Sequence, residues 1–531
     1  MVLKYAASLP PASRRTPVFH DPNAWFSRSS NCPATIFAAP ARSENTGWRW
    51  PESGENYFMS EIGKSRTGIV WMREDLRVSD HAALNAALRV HKRVLALYIH
   101  ETDADARQPG GAARWWLHHS LKALAANLAR IGVPLAVKTG KAAKVLERTI
   151  SETDAGAVYW GRRYGPADRD RDTRIKASLK DSGIAVQSYN TRLLVEPFEL
   201  KTGSGGHYKV FTPFWKALRQ IDFERPQAVE RRDTPIDTPD VDADYSVPHW
   251  ANKFDDIWTP GETGARAALD RFVDQALADY KDGRDRPDRP ATSLMSPHLR
   301  FGEISPRQIW HAVRFAADAE EIGDAADKYL SEIAWREFAH NLLFHNKDIT
   351  IHPMQEKFAG MEWRDDPAAL AAWQKGETGI PMVDAGMREL WATGTMHNRV
   401  RMIVASFLAK NLMIDWRKGE EWFWDTLVDA DIANNPANWQ WVAGCGADAA
   451  PYFRIFNPVT QGARFDPNGD YVRRWVPEIA ALPAKHVHDP AGAPKSVLDE
   501  ADVTPGETYP LPIADLKATR ERALNAFKAL D

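Results

Sequence analysis

Five short apolar runs recur over the first third of the chain: GIVWM (68–72), RVLALYIH (93–100), LAVKTG (135–140), GAVYW (156–160) and IAVQSY (184–189). They are continuous rather than alternating, the pattern of strands covered on both faces. Between them lie HAALNAALRVH, ARWWLHHSLKALAANLARIG, KAAKVLERTISET and RDTRIKASLKDSG, each with helical periodicity. Parallel neighbours need such a crossover, so residues 67–190 are expected to form a Rossmann-like, doubly wound parallel sheet. No G-x-G-x-x-G follows the first run and no G-x-x-x-x-G-K-[ST] occurs anywhere. This domain is therefore not expected to hold the main cofactor in the usual way.

From Gly264 to about residue 480 the strand signals vanish, and patterns such as GARAALDRFVDQALADY, PRQIWHAVRFAADAE and KYLSEIAWREFAHNLLFHN predict a second, all-helical domain. Residues 191–263, rich in Pro, Asp and Gly, read as an interdomain linker holding the loop and aromatic helix GSGGHYKVFTPFWKAL. A Pro-rich tail, 481–531, ends in the amphipathic LKATRERALNAFKAL. Residues 1–66 are rich in Arg, Ser and Pro and poor in acids. They are expected to be a disordered extension, or a start upstream of Met59; the alternative is an organelle transit peptide.

At 531 residues the chain needs more than one core. Two cysteines, Cys32 and Cys445, exclude a disulfide framework and a CxxC zinc site, and fit a reducing compartment. The net charge of −3 excludes a globally basic nucleic-acid binder but leaves room for a local cationic groove. No apolar run approaches a bilayer span, since RMIVASFLAK (401–410) is broken by charge. The 21 tryptophans, against a common share of about one percent, point to aromatic sites beyond core filling.

Four stretches could carry chemistry. In SEIAWREFAHNLL (331–343), Glu332 and Trp335 share a helix face. Packing accounts for Trp335 and pairs Glu332 with Arg336; the alternative is a carboxyl presented beside a stacking plane, kept protonated by burial. In GTMHNRVRMIVASFLAK (394–410), Arg399 and Arg401 point to different sides, and a buried Arg401 needs an acid such as Asp429, while Arg399 could reach a phosphate. Thr292, Ser293 and Ser296 precede a helix and suit either N-capping or a diphosphate. In DADIANNPANWQWVAG (429–444), Pro436 fits the first helical position and makes Asn435 the N-cap. Trp441 then lies about 200° around the helix from Trp439, so the two are expected to face different compartments.

Together IVWMREDLRVSDHAAL (69–84), TSLMSPHLRFGEISP (292–306), SEIAWREF (331–338), TGIPMVDAGMREL (378–390), MHNRVRMIVASFL (396–408) and WQWVAGCGADAAPYFRIFNPVTQGARFD (439–466) resemble the photolyase/cryptochrome family, and within it the class I-type cyclobutane pyrimidine dimer photolyases. The resemblance implies a helical domain holding folded FAD, active as FADH⁻. By position, Tyr280, Thr292, Ser293, Ser296, Trp335, Arg336, Asn398, Arg401, Asp429, Asp431 and Asn435 would contact the cofactor or border its cavity. Leu294 departs from the Arg that the family often carries there, which puts one contact in doubt. Asn435 matches the position facing flavin N5, where plant cryptochromes carry Asp. Trp439, Trp416 and Trp363 match a relay from flavin to surface.

The same resemblance implies a substrate side. Glu332 and Asn398 would bond the bases of the lesion. Trp335, Trp441 and Met402 would wall its pocket, and Arg284 and Arg399 would clamp flanking phosphates. Members acting on (6-4) lesions set histidines where this chain has Asn398 and Met402; His397 is off by one. The expected partner is UV-damaged DNA containing pyrimidine dimers, with no membrane. The expected activity is light-driven dimer repair by a cytoplasmic, bacterial-like monomer, or an organellar one if residues 1–66 are a transit peptide. An antenna chromophore, 5,10-methenyltetrahydrofolate or a deazaflavin, is expected as well. The alternatives are a cryptochrome-type photoreceptor and a (6-4) photolyase.

Overall fold

The computed structural model describes residues 67–230, 234–238, 241, 247–448 and 453–530; the expected N-terminal extension, with its transit-peptide alternative, lies outside the described residues. All five apolar runs are strands: β1 (Thr67–Met72), β2 (Val94–Glu101), β3 (Leu135–Gly140), β4 (Ala155–Gly161) and β5 (Ala185–Tyr189). They form one parallel sheet in the order β3-β2-β1-β4-β5. The crossovers are α1 (Ala82–Val90), α2 (Gly111–Arg130), α3 (Ala142–Thr153) and α4 (Pro166–Asp181). Side chains alternate along β1 into two cores. Val70 and Met72 meet α1 and α2, while Ile69 and Trp71 meet α3 and α4. Burial on both faces is why β1 and β4 read as unbroken apolar runs.

The strand order reverses at β1, and such a switch point is the usual ligand crevice of an open α/β sheet. Here charged side chains fill it. Arg73, just past β1, pairs with Asp172 at 2.8 Å and donates to the Gly161 carbonyl. Arg163 and Arg171 both engage Glu101. A crevice plugged by its own ion pairs agrees with the missing glycine fingerprint.

The stretch expected to be a linker does more than connect. Leu194, Phe211, Phe214, Leu218 and Phe223 enter the core of the helical region. Phe211 stacks on Trp335 with centroids 3.7 Å apart and planes 8° from parallel. The C-terminal tail is likewise packed in. The Tyr509 hydroxyl donates to buried Asp384 at 2.6 Å, and Phe527 stacks on Phe453 at 4.7 Å.

A buried seam of charge joins the α/β layer to the helices. Glu74, one residue beyond Arg73, accepts from Arg300 at 2.7 Å and pairs with Arg192; Arg192 also reaches Asp431 at 3.4 Å. Gly302 lets the two backbones touch: at φ 66° it already favours glycine, and a Cβ there would lie 2.1 Å from the Glu74 carbonyl oxygen. Burial would raise the Glu74 carboxyl, but Arg192, Arg300 and Arg163 outweigh it and pull it from 4.5 to about 2. A carboxylate depressed by folding contributes stability in full above its unfolded value and loses it as pH falls toward its folded value. Glu74→Gln is therefore expected to cost about 3–5 kcal/mol at pH 7, because it strands buried cations. Denaturant melts should also show it flattening the loss of stability between pH 4.5 and 2.

Candidate active site

A cavity of about 500 Å³ is lined mainly by α5 (Ser296–Phe301), α6 (Gly323–His345), α7 (Asn398–Ser406), α8 (Trp416–Thr426) and α9 (Asn434–Ala443). Local capping sets α7, α8 and α9. The His397 ring accepts from the Arg399 amide at the start of α7, and Asp415 accepts from the Arg417 amide at the start of α8. At α9 the expectation needs correcting. Asn435 is not the N-cap; it lies inside the first turn. The Asp431 carboxylate serves the helix start instead, accepting from the amides of Ala433 at 2.9 Å and Asn434 at 2.8 Å. Pro436 still falls in the first turn, where a missing N–H is harmless.

Freed from capping, Asn435 donates through Nδ2 to the Glu420 backbone oxygen at 3.0 Å and to its Oε1 at 2.8 Å. Both amide hydrogens are thus spent on Glu420, and Oδ1 is the polar atom left for the cavity that Asn435 borders. Nearby, Arg401 makes the expected pair with Asp429, a two-pronged contact at 3.1 and 3.0 Å. Asp429 also accepts from the Ser296 hydroxyl at 2.6 Å, and Arg401 Nε donates to the Met396 carbonyl at 2.7 Å. Asp431, beyond its capping role, faces Arg192 and His340. Burial would raise this carboxyl, but His340, Arg192, Arg300 and Arg336 hold it far below the usual range. Burial in turn pushes His340 down to about 3.

The hydroxyl-rich segment is only partly as expected. Ser293 and Ser296 border the cavity and Thr292 lies outside its lining. The Ser293 oxygen accepts from the Tyr329 hydroxyl at 3.1 Å and from the Met295 amide at 3.3 Å. Helix α5 is six residues long and starts at Ser296. Leu294 stands exposed in the left-handed region at φ 54°.

At the mouth, Glu332 sits between two cations, Arg284 and, at 3.1 Å, Lys328. This overturns the expected pair with Arg336: the Glu332 carboxylate is partly exposed and held by other cations. Arg336 turns inward, to the Arg192 carbonyl at 3.0 Å and Glu337 at 3.2 Å, because the connector passes over that side of α6. Arg399 pairs with Asp285 at 2.9 Å, touches the Met402 sulfur at 3.8 Å and lies over the Phe465 ring. Tyr280, Glu332, Trp335, Asn398, Arg399, Arg401 and Met402 all border one cavity, and Arg399 and Arg401 take different partners on it.

Trp439 and Trp441, expected in different compartments, are not separated. Both border the cavity and both pack on the same apolar cluster, because protein surrounds α9 on both sides. Trp439 is buried edge-on to Phe423 at 5.0 Å and Trp373 at 6.2 Å. Gly419 on α8 makes room for it, since a Cβ there would lie 2.2 Å from the Trp439 ring. Trp441 is half-buried and donates from Nε1 to the Asp448 carbonyl at 3.1 Å. Trp416 is buried in the same cluster and Trp363 is half-buried against it, both outside the cavity lining. Sequence reasoning missed Arg300, Glu420, Phe423 and Trp373. A cation inside the apolar HLRFG was a signal for the first; the others lie in ordinary amphipathic helix patterns.

Residues 68–235 match the family model described as DNA photolyase, and residues 329–529 the one described as the FAD binding domain of DNA photolyase. The deoxyribodipyrimidine photo-lyase of Agrobacterium fabrum is 50% identical over 88% of this chain and 98% of its own length. Cryptochrome-1 of Arabidopsis thaliana is 36% identical over 89% of this chain and 72% of its own length. Among solved structures, a bacterial class III photolyase from Agrobacterium tumefaciens superposes with a TM-score of 0.83 at 50% identity, covering 88% of this chain and 98% of that one. The sequence-based expectation was the class I type, and this relative carries the class III description. A parallel five-stranded domain, a helical FAD-binding domain and these matches over most of its length place the chain in the photolyase/cryptochrome family.

Proposed function

We propose that this protein repairs cyclobutane pyrimidine dimers in DNA by light-driven electron transfer, with FAD held in the helical cavity. The observation that carries the reading is the pairing, on one cavity, of a polar inner wall with an aromatic, charged mouth. Asn435 and the Arg401–Asp429 pair form the wall; Trp335, Trp441 and Glu332 form the mouth. The residues present fit FAD. A volume of about 500 Å³ lies in the range of cofactor sites. Arg401 supplies cationic charge for an anionic ring, and Oδ1 of Asn435 supplies an acceptor for a ring N–H. Bound there, reduced FAD would supply light-driven electron donation to the dimer with no net redox change.

The chain's own work is to bind, orient and exclude water. Asn435 favours the reduced ring because its amide hydrogens are already spent and only its oxygen is offered. The Ser293–Ser296 segment and the Arg401–Asp429 pair border the polar end. Flipping a dimer out of the duplex costs a few kcal/mol, less for a damaged base, and stacking on Trp335 and Trp441 offsets about 1–3 kcal/mol per base. Phe211 already covers Trp335 on one face, so the plane is preset. Glu332, with two cations on it, meets a base as an acceptor of its ring N–H, and Arg284 brings the donors that a base carbonyl needs. Asn398 and Met402 complete the pocket, and Arg399 is placed to reach a flanking phosphate. Trp439 and Trp416, buried, and Trp363, half-buried, belong to one apolar cluster, and as oxidisable rings they would deliver electrons to the flavin. An antenna, methenyltetrahydrofolate or a deazaflavin, would serve from the α/β domain. The protein acts as a monomer where the cell keeps its DNA. A cryptochrome role is the second reading, favoured by the likeness to Cryptochrome-1; Asn435, in place of the Asp of plant cryptochromes, favours repair.

Three outcomes follow from these roles. Glu332→Ala should lower the repair quantum yield about tenfold or more, the worth of one hydrogen bond to a charged group at about 1.5–3 kcal/mol, while FAD absorbance per chain stays constant. Loss of FAD would make Glu332 structural. Trp439→Phe should slow photoreduction of oxidised FAD at least tenfold yet leave repair by chemically reduced enzyme intact, since the relay serves only the first. Trp441→Ala should weaken binding of dimer-containing oligonucleotide about tenfold, as gel shift would read, with binding of undamaged DNA little changed.

A further inference from the structure

The α/β domain reaches the flavin-facing amide through one side chain. Arg107, in the loop between β2 and α2, forks both terminal guanidinium nitrogens onto Glu420, each at 2.8 Å, and stacks over the Trp424 ring at 3.8 Å. The loop is docked for that reach. Trp424 Nε1 donates to the Gln108 carbonyl at 2.9 Å, and the Gly111 amide donates to Asp425 at 2.7 Å. Gly110 sits so close that a Cβ would lie 2.0 Å from the Trp424 carbonyl oxygen. Glu420, Trp424 and Asp425 all belong to α8, so one helix face receives the loop and hands Glu420 to Asn435.

We infer that Arg107 is a positioning residue of the cofactor site, acting through Glu420 to lock the Asn435 amide with its oxygen toward the flavin. Arg107 occupies both carboxylate oxygens with its own donors, so Glu420 meets Asn435 only as an acceptor. A rotated amide would set Oδ1 of Asn435 against two acceptors, the Glu420 carboxylate and backbone oxygen, and is excluded while the fork holds. Without Arg107 the carboxylate is free to swing away, which leaves the amide held only by the Glu420 backbone oxygen and loosens the bar to turning its N–H groups toward the ring. An N–H favours the oxidised ring, whose N5 is an acceptor; an oxygen favours the reduced ring, whose N5 carries hydrogen. The inference rests on the reading that FAD occupies the cavity with N5 beside Asn435.

The readout is the midpoint potential of bound FAD, measured by dye-equilibrated reduction of purified holoprotein. Arg107→Met should shift the oxidised-to-reduced equilibrium about tenfold toward oxidised, a fall of ~30 mV for a two-electron couple. Arg107→Lys, which keeps one donor, should recover part of it. Combining Arg107→Met with Asn435→Ser should add nothing to Asn435→Ser alone. An unchanged potential in Arg107→Met, or a shift that persists in the Asn435→Ser background, overturns the inference. If Arg107→Met does not retain FAD, Arg107→Lys with and without Asn435→Ser decides by the same two criteria. A wild-type chain that binds no FAD would instead overturn the functional reading, so the two failures are distinct.

Discussion

Asp431 is the group on which the rest of the site depends. Its carboxylate closes the start of α9, holds Arg192 from the connector and, through Arg192, ties to Glu74 at the end of the central strand. A buried carboxylate in that position is costly unless every lone pair is used, and here backbone amides and cations use them. The consequence is geometric. Helix α9 cannot rotate or slide without stranding Asp431, so Asn435, Trp439 and Trp441 are presented at fixed angles to the cavity. Preorganisation of this kind matters most where charge moves, because no reorganisation is then needed during the reaction.

A second consequence is that the two domains are not independent parts. The sheet's own switch-point crevice is filled with ion pairs, and its loops are spent on the helical region. Glu74 goes to Arg300, Arg107 to Glu420, and the Gly111 amide to Asp425. The α/β layer buttresses a site that it does not itself contain, which reconciles a Rossmann-like sheet with the absence of its phosphate fingerprint.

Much of this was legible in the residues. All five strands followed from the length and continuity of their apolar runs, and Arg401–Asp429 followed from the rule that a cation beside an apolar run needs an acid. Helix starts were less legible. Asn435 has the chemistry of an N-cap, yet Asp431, four residues earlier, wins because a carboxylate can serve two amides and a guanidinium at once. Glu332 was paired with Arg336 by helical spacing alone, whereas the connector, distant in sequence, draws Arg336 away. The packing of residues 191–263 was hidden for the same reason: Phe211 and Phe214 find their partners on α6, more than a hundred residues on, and local periodicity carries no sign of that. Position-by-position resemblance named Asn435, Trp335 and Arg401, which border the cavity, along with Thr292, which does not, and it did not reach Arg107 or Glu420.

On the proposed reading, the cavity couples light to the splitting of a pyrimidine dimer. The most direct measurement is repair of an oligonucleotide carrying one cyclobutane dimer by wild-type protein with reduced FAD, followed by the return of thymine absorbance. Repair under blue light and none in the dark is the predicted result. Repair that proceeds equally in the dark, or no repair under light despite bound reduced FAD, would contradict the account.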